Sequence, residues 1–133
     1  MSFLLDTNIC SAYMKGDARV FNRFIQHGGG LMVSSIVVAE LYSWVYRART
    51  QPRRRKDLSD LLLELHSLPV DDDIARKFGE IRAAFLDQGR PMPELDLLIA
   101  STALVHDLTL VTHNVRDFVH VPGLRIEDWL ATS

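Results

Sequence analysis

Cys10 is the only cysteine in 133 residues, so no disulfide can form within the chain and packing alone must hold the fold. A reduced, cytoplasmic setting is the expectation. Long apolar runs are also missing: nothing approaches the roughly eighteen consecutive apolar residues of a membrane span. The opening "MSFLLD" has no basic stretch and too short an apolar one for a secretion signal, so no membrane role is expected. The glycine run Gly28 to Gly30 is not followed by Gly-Lys-Ser/Thr, which excludes a P-loop. The five histidines show no zinc-binding spacing. Nor is charge of one sign in excess: the balance of 15 basic against 17 acidic residues says nothing about nucleic acid, for which clustering rather than net charge matters.

What is present is an ordinary globular composition, 47% apolar and 24% charged, which implies one domain over residues 1–133 with a sizeable core. "SFLLD" and "LMVSS" read as short buried strands, and "LTLVT" as a third. Helices are expected at "TNICSAYMKGD", ending near Gly16, at amphipathic "ARVFNRFIQH", and at "IVVAELYSWVYRA" behind a Ser34 or Ser35 cap. Further helices are read at "DLSDLLLELHSL" with Asp57 as cap, at "DDIARKFGEIRAAFLDQ" closed by Gly89, and at strongly apolar "ELDLLIASTALVHD". "PVD" is expected to be a short strand, "NVRDF" a turn, and "LRIEDWL" a final strand or short helix. Strands alternating with helices, and strands apolar on both faces, predict an α/β fold: a parallel sheet covered by helices on both sides. The functional crevice of such a sheet lies beyond the carboxyl ends of its strands.

Three acids stand singly in apolar surroundings: Asp6 ends "FLLD", Glu40 lies within "SIVVAELYSWVY", and Asp96 within "LDLLIASTALV". Each alone fits a duller role, Asp6 and Asp96 as helix caps and Glu40 as a helix-surface residue. Brought together, they would repel and raise one another's pKa, a conflict that a cation resolves. Carboxylate oxygens without thiolates favour Mg²⁺, with Mn²⁺ as the alternative. Such an ion beside a basic wall suits phosphodiester hydrolysis. The wall is read in "RARTQPRRRK", where Arg47, Arg49, Arg53, Arg54 and Arg55 are candidates to bind substrate. Thr7, Asn8 and Ser35 are candidates to orient Asp6 or contact substrate, and Asn114 and Asp117 to close the far side of the site.

The blocks "FLLDTNIC", "VSSIVVAELYSWV" and "GRPMPELDLLIASTALVHDLTLVTHNVRDFVHVPGLRIEDW" resemble, in order and spacing, the PIN-domain ribonucleases, and most closely their VapC toxins. The resemblance covers roughly residues 3 to 130. It implies a PIN-like three-layer α/β fold and a Mg²⁺- or Mn²⁺-dependent endoribonuclease acting on structured RNA, tRNA prominently. It also implies a homodimer and a small VapB-type antitoxin that obstructs the active site. By position it makes Asp6, Glu40 and Asp96 the catalytic, metal-holding acids. In the fourth acidic position this chain departs from some relatives, having Asn114, with Asp117 as the nearest acid downstream. Two other readings compete. A phosphatase of the haloacid-dehalogenase type needs a second Asp two residues after the first, where this chain has Asn8. A PIN-like module that binds RNA or a partner without cutting is the second.

Overall fold

The computed structural model describes residues 2–131. Five parallel strands form one sheet in the order β3-β2-β1-β4-β5, made by β1 (Phe3–Leu5), β2 (Leu31–Ser34), β3 (His66–Leu68), β4 (Thr109–Val111) and β5 (Ile126–Glu127). Among the described residues seven helices cover it: α1 (Thr7–Met14), α2 (Ala18–Gln26), α3 (Ser35–Val45), α4 (Arg53–Glu64), α5 (Asp72–Asp87), α6 (Glu94–Val105) and α7 (Val115–Phe118). This is the PIN-like three-layer arrangement read from the sequence. The central strands β1 and β4 are buried on both faces, as their unbroken apolar runs require.

Local signals set most of the boundaries. The Ser34 hydroxyl accepts from the Ile36 amide at 3.1 Å and starts α3. The Asp71 carboxylate does the same for Ile74 at 3.0 Å, with Asp72 and Asp73 in the first turn of α5. Gly89 follows the end of α5 with φ +68°, a conformation that a side chain disfavours. Helix α6 is buried on most sides, and its hydroxyls bond backward within the helix, Ser101 to Leu97 O at 2.7 Å and Thr102 to Leu98 O at 2.8 Å.

Three expectations need correction. Asp57 does not cap α4, which begins four residues earlier at Arg53 behind Pro52; proline already holds a helical φ and needs no amide partner there. The third strand is His66–Leu68, not "PVD", because pairing with Met32 to Ser34 of β2 captures residues whose spacing also suits a helix end. "NVRDF" contains the short helix α7 rather than only a turn.

The sheet order places β1 at its centre with β2 on one side and β4 on the other. The chain leaves β1 for β2 first and reaches β4 later, so the switch in direction falls between β1 and β4. A crevice opens at the carboxyl ends of strands at such a point.

Candidate acidic site at the sheet edge

Asp6 follows β1 directly and is almost fully buried. Its backbone amide continues the sheet by donating to Val111 O at 2.9 Å, so the residue sits squarely on the switch point. One carboxylate oxygen, Oδ1, accepts from the Thr7 amide at 2.8 Å and caps α1; the other, Oδ2, accepts the Thr112 hydroxyl at 2.8 Å. Burial raises the pKa of Asp6, the two hydrogen bonds oppose that, and the negative charge of Asp117 adds to the rise.

Around this carboxylate the chain gathers three more. Glu40, on the second turn of α3, accepts the Thr7 hydroxyl through Oε1 at 2.8 Å. Asp96, in the first turn of α6, is half-buried, and no donor reaches its carboxylate among the described residues. Burial, then the charges of Asp6, Glu40 and Asp117, lift its pKa to about 6. Asp117 on α7 is exposed beside a cavity of about 380 Å³ lined by Phe85, Arg90, Met92 and His120, and beside a second hollow that it shares with His113 and Asn114. Four segments distant in sequence thus deliver negative charge to one place.

Hydroxyls and amides brace the acids. Thr7 ties Asp6 to Glu40 by using its amide for one and its hydroxyl for the other. The Asn8 side chain spans the switch point, reaching Thr112 Oγ1 at 3.5 Å and accepting the His113 amide at 3.1 Å. Thr112 also accepts the Asn114 amide at 3.0 Å. Thr112, buried and in direct contact with Asp6, was missed as a bracing residue; its one signal in the sequence is its place immediately after "LTLV", at the carboxyl end of a buried strand. Ser35 lies apart from this network, its hydroxyl donating to Leu68 O at 3.2 Å. Glu94, close in sequence, is exposed and pairs with Arg82 at 3.4 Å.

The arginines do not form one uniform wall. Arg54 is largely buried, donating to Met14 O and to Asp57, each at 3.0 Å, which fastens α4 to α1. Arg55 lies over the Tyr46 ring at 5.2 Å. Arg53 is exposed, while Arg47 and Arg49 border a hollow beside Trp44.

An oxygen-only donor set with mutually repelling carboxylates fits a hard divalent cation. As the side chains stand, no three His, Cys, Asp or Glu residues among those described are close enough to share one ion. Glu40 and Asp96 are each only partly buried.

Comparison with known proteins gives a consistent result. The PIN domain family model matches residues 3–124. The "tRNA(fMet)-specific endonuclease VapC" of Shigella flexneri is 35% identical, covering 97% of this chain and 98% of its own length. "Ribonuclease VapC2" of Haemophilus influenzae is 36% identical, covering 98% and 99%. Among solved structures, VapBC2 of Rickettsia felis bound to a DNA fragment from its promoter superposes with a TM-score of 0.90 at 30% identity, covering 97% of this chain and 99% of that one.

Proposed function

The chain belongs to the PIN-domain family, within which VapC ribonucleases are its relatives, and we propose that it is a Mg²⁺-dependent endoribonuclease toxin, with Mn²⁺ as alternative metal. Its substrate is structured RNA, tRNA first among the candidates in view of the Shigella relative's name. The observation that carries the proposal is the convergence of Asp6, Glu40, Asp96 and Asp117 from four distant segments at the carboxyl edge of the sheet, where burial first and then the neighbouring carboxylates raise the pKa of Asp96. Charge gathered at such cost at the edge of a rigid sheet has an evident use in holding a cation.

Asp6, Glu40 and Asp96 would hold the ion, with Asp117 or Asn114 on the far side. When bound, a divalent cation neutralises these acids, polarises a backbone phosphate and lowers the pKa of water. The protein's own part is positional. Thr112 and the Thr7 amide hold the two oxygens of Asp6 in place, and the Thr7 hydroxyl holds Glu40 toward the same centre. Asn8 locks the β4–α7 turn that carries Asn114 and Asp117. Attack by water leaves a 5′-phosphate and a 3′-hydroxyl. Exposed arginines, Arg47, Arg49 and Arg53 foremost, hold the RNA backbone.

A VapB-type antitoxin as inhibitor, and a homodimer, follow from the likeness to VapBC complexes. No described helix is long and apolar enough to cross a membrane.

The deciding experiment incubates a labelled tRNA pool with the protein and Mg²⁺, with EDTA, and with Asp96→Asn. Discrete fragments with 5′-phosphate ends that vanish in both controls are expected. Fragments ending in 2′,3′-cyclic phosphate, which need the ribose hydroxyl as nucleophile, would overturn the mechanism. Binding without cutting would favour the non-cleaving module instead.

A further inference from the structure

We propose that the basic hollow between the ends of α1 and α3 is a nucleotide subsite, taking one phosphate and one base of a single-stranded RNA segment that leads away from the acidic centre. It rests on the nuclease reading above and assigns roles to Lys15 and Trp44, which lie outside the acidic network. Lys15, Trp44, Arg47, Arg49, Gln51 and Arg54 border this hollow of about 430 Å³, a size suited to a small ligand.

Charge is the first reason. Arg54 is satisfied by Asp57, but Lys15, Arg47 and Arg49 form no ion pair among the described residues. Three uncompensated cations around one hollow repel each other until an anion enters. An aromatic ring among them is the second reason. The Lys15 ammonium stands 5.4 Å from the centre of the half-buried Trp44 indole. Cations alone would accept any anion; cations around an indole favour an anion joined to a flat base. An unstacked base is needed for such a contact, hence a single-stranded segment.

Continuity with the acids is the third. A neighbouring hollow of about 320 Å³ is bordered by Asn8, Ser11 and Ala12, at i, i+3 and i+4 on one face of α1, and by Lys15, which caps the end of that helix. Asn8 belongs to the acidic network, Lys15 to both hollows, and the residues between are small and neutral. Asp17 at the outer edge of this second hollow is paired with Arg19 at 2.8 Å, which reduces its repulsion of a phosphate. Helix α3 carries Glu40 and Trp44 at i and i+4, and Arg47 follows two residues beyond its end. From Asn8 to Lys15 the helix and its cap span about 10 Å, which the RNA backbone must cross between the two sites.

The test uses the full chain in EDTA and a single-stranded oligoribonucleotide of about ten nucleotides, followed by tryptophan emission. The second tryptophan, Trp129, is buried, so a change on binding reports Trp44. Saturable quenching is expected, absent in Trp44→Phe, which nonetheless keeps most of the affinity. Trp44→Leu should weaken binding about tenfold. Lys15→Gln and Arg47→Gln should each reduce the slope of log affinity against log salt by about 1, and Lys15→Arg should restore it. Should Trp44→Leu fail to fold, the exposed Lys15 carries the test. In RNA cleavage with metal, Lys15→Gln should raise KM more than it lowers kcat.

Wild-type affinity and salt slope in the Lys15 and Arg47 variants would overturn the subsite while leaving metal-dependent cleavage by the parent intact. Quenching with the expected slopes, but no cleavage of any RNA with metal, would keep the RNA site and overturn the nuclease. Polyglutamate binding here, with no effect of the oligoribonucleotide, would assign the hollow to an acidic protein segment and overturn the RNA assignment.

Discussion

Asp6 is held by a different donor at each of its two oxygens, and neither donor is redundant. The Thr7 amide is backbone and survives substitution, so the Thr112 hydroxyl is the donor that a substitution can remove, together with the bonds it accepts from Asn8 and the Asn114 amide. Thr112→Val keeps the buried volume and leaves Asp6 short of one charge-assisted bond, worth about 1.5–3 kcal/mol. Cation affinity and cleavage should fall about 10- to 100-fold, the usual consequence of losing a residue that orients a metal ligand. Lost stability with unchanged cleavage kinetics would show the hydroxyl to be structural only. At Asp96 the sign is reversed. Its folded pKa, about 6, lies above the unfolded value near 3.8, so the folded protein binds the extra proton between those limits. Its stabilising contribution is therefore complete below pH about 4 and lost as pH rises through about 6. In EDTA, Asp96→Asn should raise the thermal midpoint at pH 7.5 and not at pH 4. The side chain is only half-buried, so solvent screening holds the gain to about 1 kcal/mol or less. A midpoint difference independent of pH would remove the carboxylate crowding from the account.

At the scale of elements, the join between α1 and α4 shows where the reading of the sequence stopped. "RARTQPRRRK" is a dense basic run, and nothing in it distinguishes Arg54, which is mostly buried and binds Met14 O and Asp57, from Arg53, which is exposed. That difference is tertiary: it depends on α4 starting at Arg53 and packing against the last carbonyls of α1. Arg54→Met should cost about 2 kcal/mol in chemical denaturation, whereas Arg53→Gln should leave stability unchanged and weaken RNA binding. Equal stability losses in both would mean that the helix end tolerates neither change for reasons of local propensity. Elsewhere local signals were enough. The Ser34 cap, Gly89, and the apolar strands "FLL" and "TLV" each state their own structure, so the layers and the parallel sheet were legible, whereas the Asp71 cap was hidden in a stretch read as a strand. Asp6, Glu40 and Asp96 were legible as isolated charges in apolar segments. His66–Leu68 was not, because only its pairing with β2 makes it a strand. Thr112 was not singled out because a threonine after a strand looks like any other strand end.

At the scale of the whole molecule, a net charge of −2 hides a division of labour. Negative charge is concentrated at the carboxyl edge of the sheet, and unpaired positive charge at the other ends of α1 and α3, which start from that edge. The acidic edge carries a cost in the charge of Asp96, set first by burial and then by the neighbouring carboxylates. Anything that relieves it must stabilise the fold as a whole, because a ligand that binds only the folded state shifts the unfolding equilibrium. A cation in hundredfold excess over its Kd adds about 2.7 kcal/mol, and in a chain of 133 residues that corresponds to a rise in thermal midpoint of about 10 °C. Mg²⁺ or Mn²⁺ should produce such a rise at pH 7.5. Below pH about 6 the proton on Asp96 competes with the ion, so the rise should shrink there. Asp96→Asn should lose most of it, having already shed the repelling charge and one ligand oxygen's charge with it. Thr112→Val should keep a reduced rise, since its carboxylates remain. Calorimetric scans of the three proteins at pH 5 and 7.5, with and without cation, separate these outcomes. An equal rise in wild type and Asp96→Asn would place the cation elsewhere on the protein and leave the four acids without the role argued for them.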